Sequence, residues 1–278
     1  MPPPSLEHRE INFADFQEWS AWVDINPGYF DNANNVEFAL QCARNGITEP
    51  VINRFFGAGE ITWNEANLRE SGYAGNIISR NRAVHLALES CLDRVSQHNT
   101  KIYGTEAITS TASLLRGFFL GFIGSEYTSD PAVKDALYPI PVEDLISLTL
   151  KNDAFDAVIT TEVLEHVPPL GTALSEIHRV LRPSGWHVGT CPFMYMQQDS
   201  VLKTTIEDGK LIHLMEPEYH GDPMGTGGTL VFEILAWDIL DRARNLGFLN
   251  RFWKWVRSPQ HDIVTNGCGG VFVLCLQR

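Results

Sequence analysis

The chain has 278 residues, 44% of them hydrophobic, enough for one large α/β domain or for a core domain with an added cap. Lys+Arg 21 against Asp+Glu 34 gives a formal net charge of -13, so nucleic acid is not an expected partner, and a small molecule or a neutral glycan fits better. Cys42, Cys91, Cys191, Cys268 and Cys275 form no Cys-x-x-Cys pair and have no histidine at zinc spacing, so neither a metal centre nor a disulfide framework is expected. The start MPPPSLEHRE is neither basic nor apolar, and no apolar run approaches the roughly 20 residues that span a bilayer. A cytoplasmic protein without a membrane partner is the expectation.

Residues 1–10 are Pro-rich and read as frayed. Phe13, Phe16, Trp19, Trp22 and Val23 recur at helical intervals and predict an amphipathic helix, whose aromatic stripe serves packing more often than ligand binding. Residues 26–59 are turn-rich and resist assignment. A helix opens at Ser79, read as its N-cap, and presents Val84, Ala87, Leu88, Cys91, Leu92 and Val95 on one face. Arg80 and Arg82 stand at its positive end, where a cation is disfavoured. One of them, or Arg69, either reaches an anionic ligand group or is simply salt-bridged at the surface.

Residues 101–104 predict the first core strand and 112–119 a short helix. The turn between them is the main nucleotide contact of a doubly wound sheet, yet it offers only Gly104, Thr105 and Glu106, short of the G-x-G-x-x-G that NAD requires. Residues 121–124 form a second strand, closed by Ser125, Glu126 and Tyr127. Glu126 lies about twenty residues beyond Glu106, the spacing at which an acidic residue holds ribose hydroxyls; a solvated loop charge is the alternative. Residues 140–145 end a weak third strand.

The apolar, β-branched run 155–161 suits a strand buried on both faces. After Pro168 and Pro169, the residues Ala173, Leu174, Ile177, Val180 and Leu181 mark a helix that Arg182, Pro183, Ser184 and Gly185 stop, and 186–191 is a further strand. Strand, helix and strand make a right-handed crossover of a parallel sheet, with ligands at the carboxyl ends. Thr160, Thr161, Glu162 and Cys191 are therefore expected to line a site. Residues 192–228 form a long insertion of a kind that is usually functional, followed by a helix through Phe232, Leu235, Ile239, Leu240 and Ala243 and by strands over 249–256 and 270–277. In the insertion His220 is expected as a general base or substrate-orienting residue, positioned by Glu218 and Asp222, with His166 competing for the role. A turn histidine that merely caps backbone is the alternative.

Phe155-Asp156, Val158-Ile159, Leu164-Glu165-His166 and Leu181-Arg182-Pro183-Ser184-Gly185 together resemble the fourth and fifth motifs of class I S-adenosylmethionine-dependent methyltransferases, specifically a type 11-like domain. Ser184 stands where the family usually has its first glycine. The resemblance covers about residue 101 to the last residue. It implies a Rossmann-like, doubly wound, seven-stranded and mostly parallel sheet with a terminal antiparallel hairpin, preceded by an N-terminal helical cap over 1–100, with the core over 101–278. It further implies S-adenosylmethionine as cofactor, S-adenosylhomocysteine as product, and methyl transfer to a hydroxyl or amine of a small molecule or glycan. The implied cofactor contacts are Gly104, Thr105, Glu106, Glu126, Tyr127, Asp144 for the adenine amine, Leu145 for its ring, Thr160, Thr161 and Glu162. Glu106 with Arg69 or Arg80 is expected to hold the methionine end. The first loop departs from the family by lacking its glycines, which keeps a non-catalytic binding module as a rival. An NAD-type oxidoreductase lacks its phosphate-binding glycines.

Overall fold

The computed structural model describes residues 6–92, 96–221 and 228–278. The first part supplies β1 (Arg9–Phe13), α1 (Phe16–Ile25), α2 (Asn32–Asn45), the short pair β2 (Ile47–Glu49) and β3 (Arg54–Phe56), and α3 (Ser79–Cys91). Strands and helices then alternate through β4 (Lys101–Gly104), α4 (Ser110–Phe118), β5 (Gly121–Gly124), α5 (Pro131–Leu137), β6 (Phe155–Thr161), α6 (Leu170–Val180) and β7 (Leu181–Thr190). Short strands follow: β8 (Val201–Leu202), β9 (Thr204–Glu207), β10 (Lys210–His213), β11 (Tyr219–His220), β12 (Thr229–Leu230) and β13 (Glu233–Ile234). The last elements are α7 (Ile239–Asn245), β14 (Asn250–Arg257) and β15 (Val271–Gln277).

The main sheet has the order β1-β14-β15-β7-β6-β4-β5. β5, β4, β6 and β7 are mutually parallel, while β15, β14 and β1 are added antiparallel, so five of the seven strands point the same way. This is the expected Rossmann-like sheet with its terminal hairpin. Every residue of β6 is buried, as a central strand covered on both faces requires. Ile102, Ala157, Ile159 and Val188 pack with α3 and α4 on one face. Tyr103, Val158, Trp253 and Phe272 pack with α1, α6 and α7 on the other. The chain leaves β4 outward to β5 and returns on its opposite side to β6, so the switch of direction lies at β4. In open α/β sheets the crevice forms there, at the carboxyl ends.

Several elements differ from the sequence expectation. Residues 9–13 are a strand that closes the edge of β14 in a five-residue register, from Arg9 opposite Arg257 to Phe13 opposite Trp253, so α1 begins only at Phe16. The third strand shrinks to one parallel bridge, Glu126 to Val142. The helix expected through Phe232 starts at Ile239, because residues 233–234 pair with 201–202. The turn 182–184 interrupts β7 and does not precede it: Leu181 already pairs with Phe155, and Ser184, at φ 66, occupies the left-handed region that favours glycine. Ser79 does not cap α3 but sits in its first turn, bonded to both backbone groups of Val264. No helix among the described residues is long and apolar enough to cross a membrane.

Candidate active site

Two groups of ionisable side chains meet at the carboxyl end of β6. The first is built on Glu162, held at φ 55 immediately after the strand with its amide donating to Thr190 O. Arg69 clamps its carboxylate with two bonds of 2.9 and 2.6 Å, and a third, of 3.3 Å, goes to Cys191 O. Glu70 accepts from Arg69 at 3.3 Å and from Arg80 at 2.6 Å, which ties the start of α3 to the strand end. Burial alone would raise Glu162, but the Arg69 guanidinium outweighs it and holds the carboxyl down at about 2. The arginine pair expected at an anionic ligand is thus brought to the crevice already paired. Arg82 is not part of it: its guanidinium is 1% exposed and donates to the carbonyls of Ile77 and His261, inside the protein.

The second group is Glu165, His166 and His220. Residues Leu164–His166 form a single 3-10 turn, and the hairpin of β11 and β12 lies over it, pairing Tyr219 with Leu230 and His220 with Thr229. His166 Nδ1 bonds Leu230 O at 2.8 Å, and Phe232 N donates to Glu165 O at 2.8 Å, so the hairpin is stitched to the turn from both sides. The imidazoles of His166 and His220 meet edge to face with centroids 5.2 Å apart. Glu165 Oε1 lies 3.5 Å from His166 Nε2 and 3.6 Å from His220 Nδ1. Glu165 is 0% exposed, and neither of its oxygens accepts a hydrogen bond. Burial, with the charge of Glu162 added, pushes its carboxyl up to about 8. Glu218 bonds His220 Nε2 at 3.0 Å and is itself paired to Lys203, which holds its carboxyl below the usual range. Asp222 lies outside the described residues. Sequence reading missed the weight of Glu165, whose burial is a tertiary fact.

The other side of the crevice is built around the first loop. Glu126 Oε1 accepts from the amides of Ala107 and Ile108 at 2.7 and 2.9 Å, leaving Oε2 without a hydrogen-bond partner among the described residues. Glu106 accepts from Thr161 Oγ1 at 2.7 Å, and Thr105 N donates to Ile159 O at 3.1 Å. The glycines here answer packing: a Cβ on Gly104 would meet the Phe122 ring at 2.9 Å, and one on Gly124 would meet Glu106 O at 2.4 Å. Asp144 Oδ1 accepts from Ile146 N at 3.1 Å, and Tyr127 is exposed. Leu145 is turned into the core, and Thr160 is fully buried and bonds His187 Nε2 at 2.9 Å, so neither side chain faces the crevice.

Residues 125–189, which run from the end of β5 through β6 and α6 into β7, match the family model described as a methyltransferase domain. Over this stretch the chain is similar to methyltransferase domains. Solved structures with which it shares similarity include a 1,6-didemethyltoxoflavin-N1-methyltransferase of Burkholderia thailandensis, at 17% identity over 71% of this chain and 77% of that one, TM-score 0.38. A methyltransferase of Mesorhizobium loti shares 15% identity over 69% and 96%, TM-score 0.42. DesVI of Streptomyces venezuelae shares 14% over 70% and 89%, TM-score 0.43. No curated protein matches the chain. The strand order, and not these likenesses, carries the fold. S-adenosylmethionine is the cofactor of such a domain, and three acidic side chains stand at these strand ends: Glu126 bonded to the first loop, Glu106 bonded to Thr161, and Glu162 paired with Arg69.

Proposed function

We propose that this methyltransferase domain methylates a hydroxyl or amine of a small molecule or glycan, with the acceptor bound at the cluster of Glu165, His166 and His220. The bound cofactor supplies an electrophilic methyl on sulfonium. Glu126 and Asp144 hold its ribose and adenine, and Glu106 with Arg69 or Arg80 holds the methionine end, with Gly104, Thr105 and Thr161 shaping the crevice. The observation that carries the reading is the buried carboxylate of Glu165, its two oxygens unanswered, facing two imidazole nitrogens beside the cofactor crevice. A neutral hydroxyl is a poor nucleophile, and a cluster that promotes the loss of its proton as the methyl moves contributes typically about 10² to 10⁴ in rate. Holding acceptor and donor in line contributes up to roughly 7 to 11 kcal/mol more. The hairpin that carries His220 lies in the insertion between β7 and β14, so the acceptor is chosen by that segment.

A second reading has its own observation. The first-loop amides of Ala107 and Ile108 already have a partner in Glu126, which favours a domain that binds cofactor without turning it over. Calorimetric titration with S-adenosylhomocysteine, paired with methyl transfer to a panel of alcohols, amines and glycans, separates the two. Binding with turnover, and a His220→Ala variant slowed at least about hundredfold in kcat at retained cofactor affinity, is the expected outcome. Binding without turnover on any acceptor selects the second reading, and near-normal turnover of His220→Ala removes the cluster from the chemistry.

A further inference from the structure

The same cluster has the donor set of a metal centre, although sequence spacing points to none. Its three donors, one carboxylate oxygen and two imidazole nitrogens, all lie within 4.8 Å of one another. The two carboxylate-to-imidazole separations, 3.5 and 3.6 Å, are too long for hydrogen bonds but suit ligands of one ion, since bonds of about 2.0–2.2 Å in tetrahedral array set donors about 3.4 Å apart.

The outer partners agree with this. His166 Nδ1 faces the carbonyl of Leu230 at 2.8 Å, an acceptor only, so that nitrogen carries the proton and Nε2 is the basic one. His220 Nε2 faces the Glu218 carboxylate at 3.0 Å, which leaves Nδ1 basic. In both rings the basic nitrogen is the one turned toward Glu165. A carbonyl or carboxylate behind each ligating imidazole is the arrangement that fixes tautomer and ring plane in metal sites. Glu165 supplies the independent observation: a fully buried carboxylate aimed into the cluster with no donor on either oxygen, an arrangement that is costly unless a cation answers it.

We propose that Glu165, His166 and His220 bind a divalent transition cation, with Glu218 as the residue that positions His220. Two imidazoles select zinc, iron(II), manganese(II) or cobalt(II) over magnesium and calcium, which prefer all-oxygen shells. Three protein ligands leave coordination positions open toward the partly exposed His220 side. The cation site stands on geometry alone; its role toward the acceptor rests on the methyl-transfer reading. In that role the histidines are ligands and not bases. A hydroxyl bound to the cation loses its proton to solvent near neutral pH, its oxygen forms the bond to the methyl carbon, and the carbon–sulfur electron pair stays on sulfur.

The test needs neither cofactor nor acceptor. The full chain, stripped with EDTA and dialysed, is titrated with zinc chloride by calorimetry and with cobalt chloride by visible absorption. The expected result is one ion per chain, weakened at least tenfold in Glu165→Gln and in His220→Ala, and about 10- to 100-fold in Glu218→Gln. His213→Ala, an exposed histidine of β10, keeps the parent affinity. No saturable binding, or binding equally tight in Glu165→Gln and His220→Ala, overturns the proposal. Should Glu165→Gln fail to fold by circular dichroism, the exposed-side variant His220→Ala decides. Metal bound at one per chain with no methyl transfer would leave this inference standing and remove the other.

Discussion

At the scale of single residues the site is held together by charge pairs whose strength can be measured by pH. Glu162 has an ordinary value of 4.5 and sits at about 2 in the folded protein, because the two-pronged Arg69 contact outweighs burial. A depressed carboxyl binds fewer protons folded than unfolded, so its contribution is complete above about pH 4.5 and is lost as the pH falls toward 2. The shift corresponds to roughly 3 kcal/mol. Chemical denaturation at a series of pH values is expected to show this loss in the parent and its absence in Glu162→Gln. That variant should also be less stable at neutral pH by roughly 3–5 kcal/mol if Arg69 is left uncompensated, or by less where Glu70 takes over. Equal pH slopes in both proteins would show that the pair does not govern the strand end.

At the scale of elements, what the sequence disclosed depended on how local each signal was. The parallel strands were legible because β6 is a continuous apolar run and α6 repeats its apolar positions at helical spacing. β1 was not: Arg9-Glu10-Ile11-Asn12-Phe13 is a polar edge strand whose meaning comes from its partner β14, more than two hundred residues away. The hairpin of β11 and β12 was equally hidden, since two-residue strands carry no periodicity, and with it the meeting of His220 and His166. Glu126 was singled out by spacing, but its engagement with the first loop was not, because the loop's missing glycines gave no hint that its amides donate to a side chain from the next strand end. That loop yields a prediction of its own. Glu126→Ala releases the amides of Ala107 and Ile108, so their hydrogen exchange should quicken while β6 stays protected. S-adenosylhomocysteine affinity should fall by at least roughly tenfold, the worth of a hydrogen bond to a charged acceptor. Unchanged exchange together with unchanged affinity would mean the carboxylate serves neither the loop nor the ribose.

At the scale of the whole molecule the question is whether the first thirty residues and the last thirty fold as one unit. Trp19 of α1 is fully buried and packs on Phe272 of β15 at 4.9 Å between ring centroids, on Trp22 at 5.2 Å and on Tyr195 at 6.0 Å. Trp237 and Phe193 complete the group, the latter stacked on Trp253 of β14 at 3.8 Å. These rings come from opposite ends of the chain and from the segment that follows β7, and they share the same side of the sheet as α6. With β1 also paired to β14, α1 and β1 are joined to the sheet along this face. Far-UV circular dichroism and tryptophan fluorescence should therefore report coincident unfolding transitions. Trp19→Ala opens a cavity at the centre of this contact and is expected to cost roughly 3–5 kcal/mol, a fall in Tm of roughly 5–9 °C for a protein of this size. The loss should fall on the whole transition. An early fluorescence change in the parent that leaves the helical signal intact would show instead that α1 and β1 detach on their own, and the coupling through the aromatic cluster would have to be abandoned.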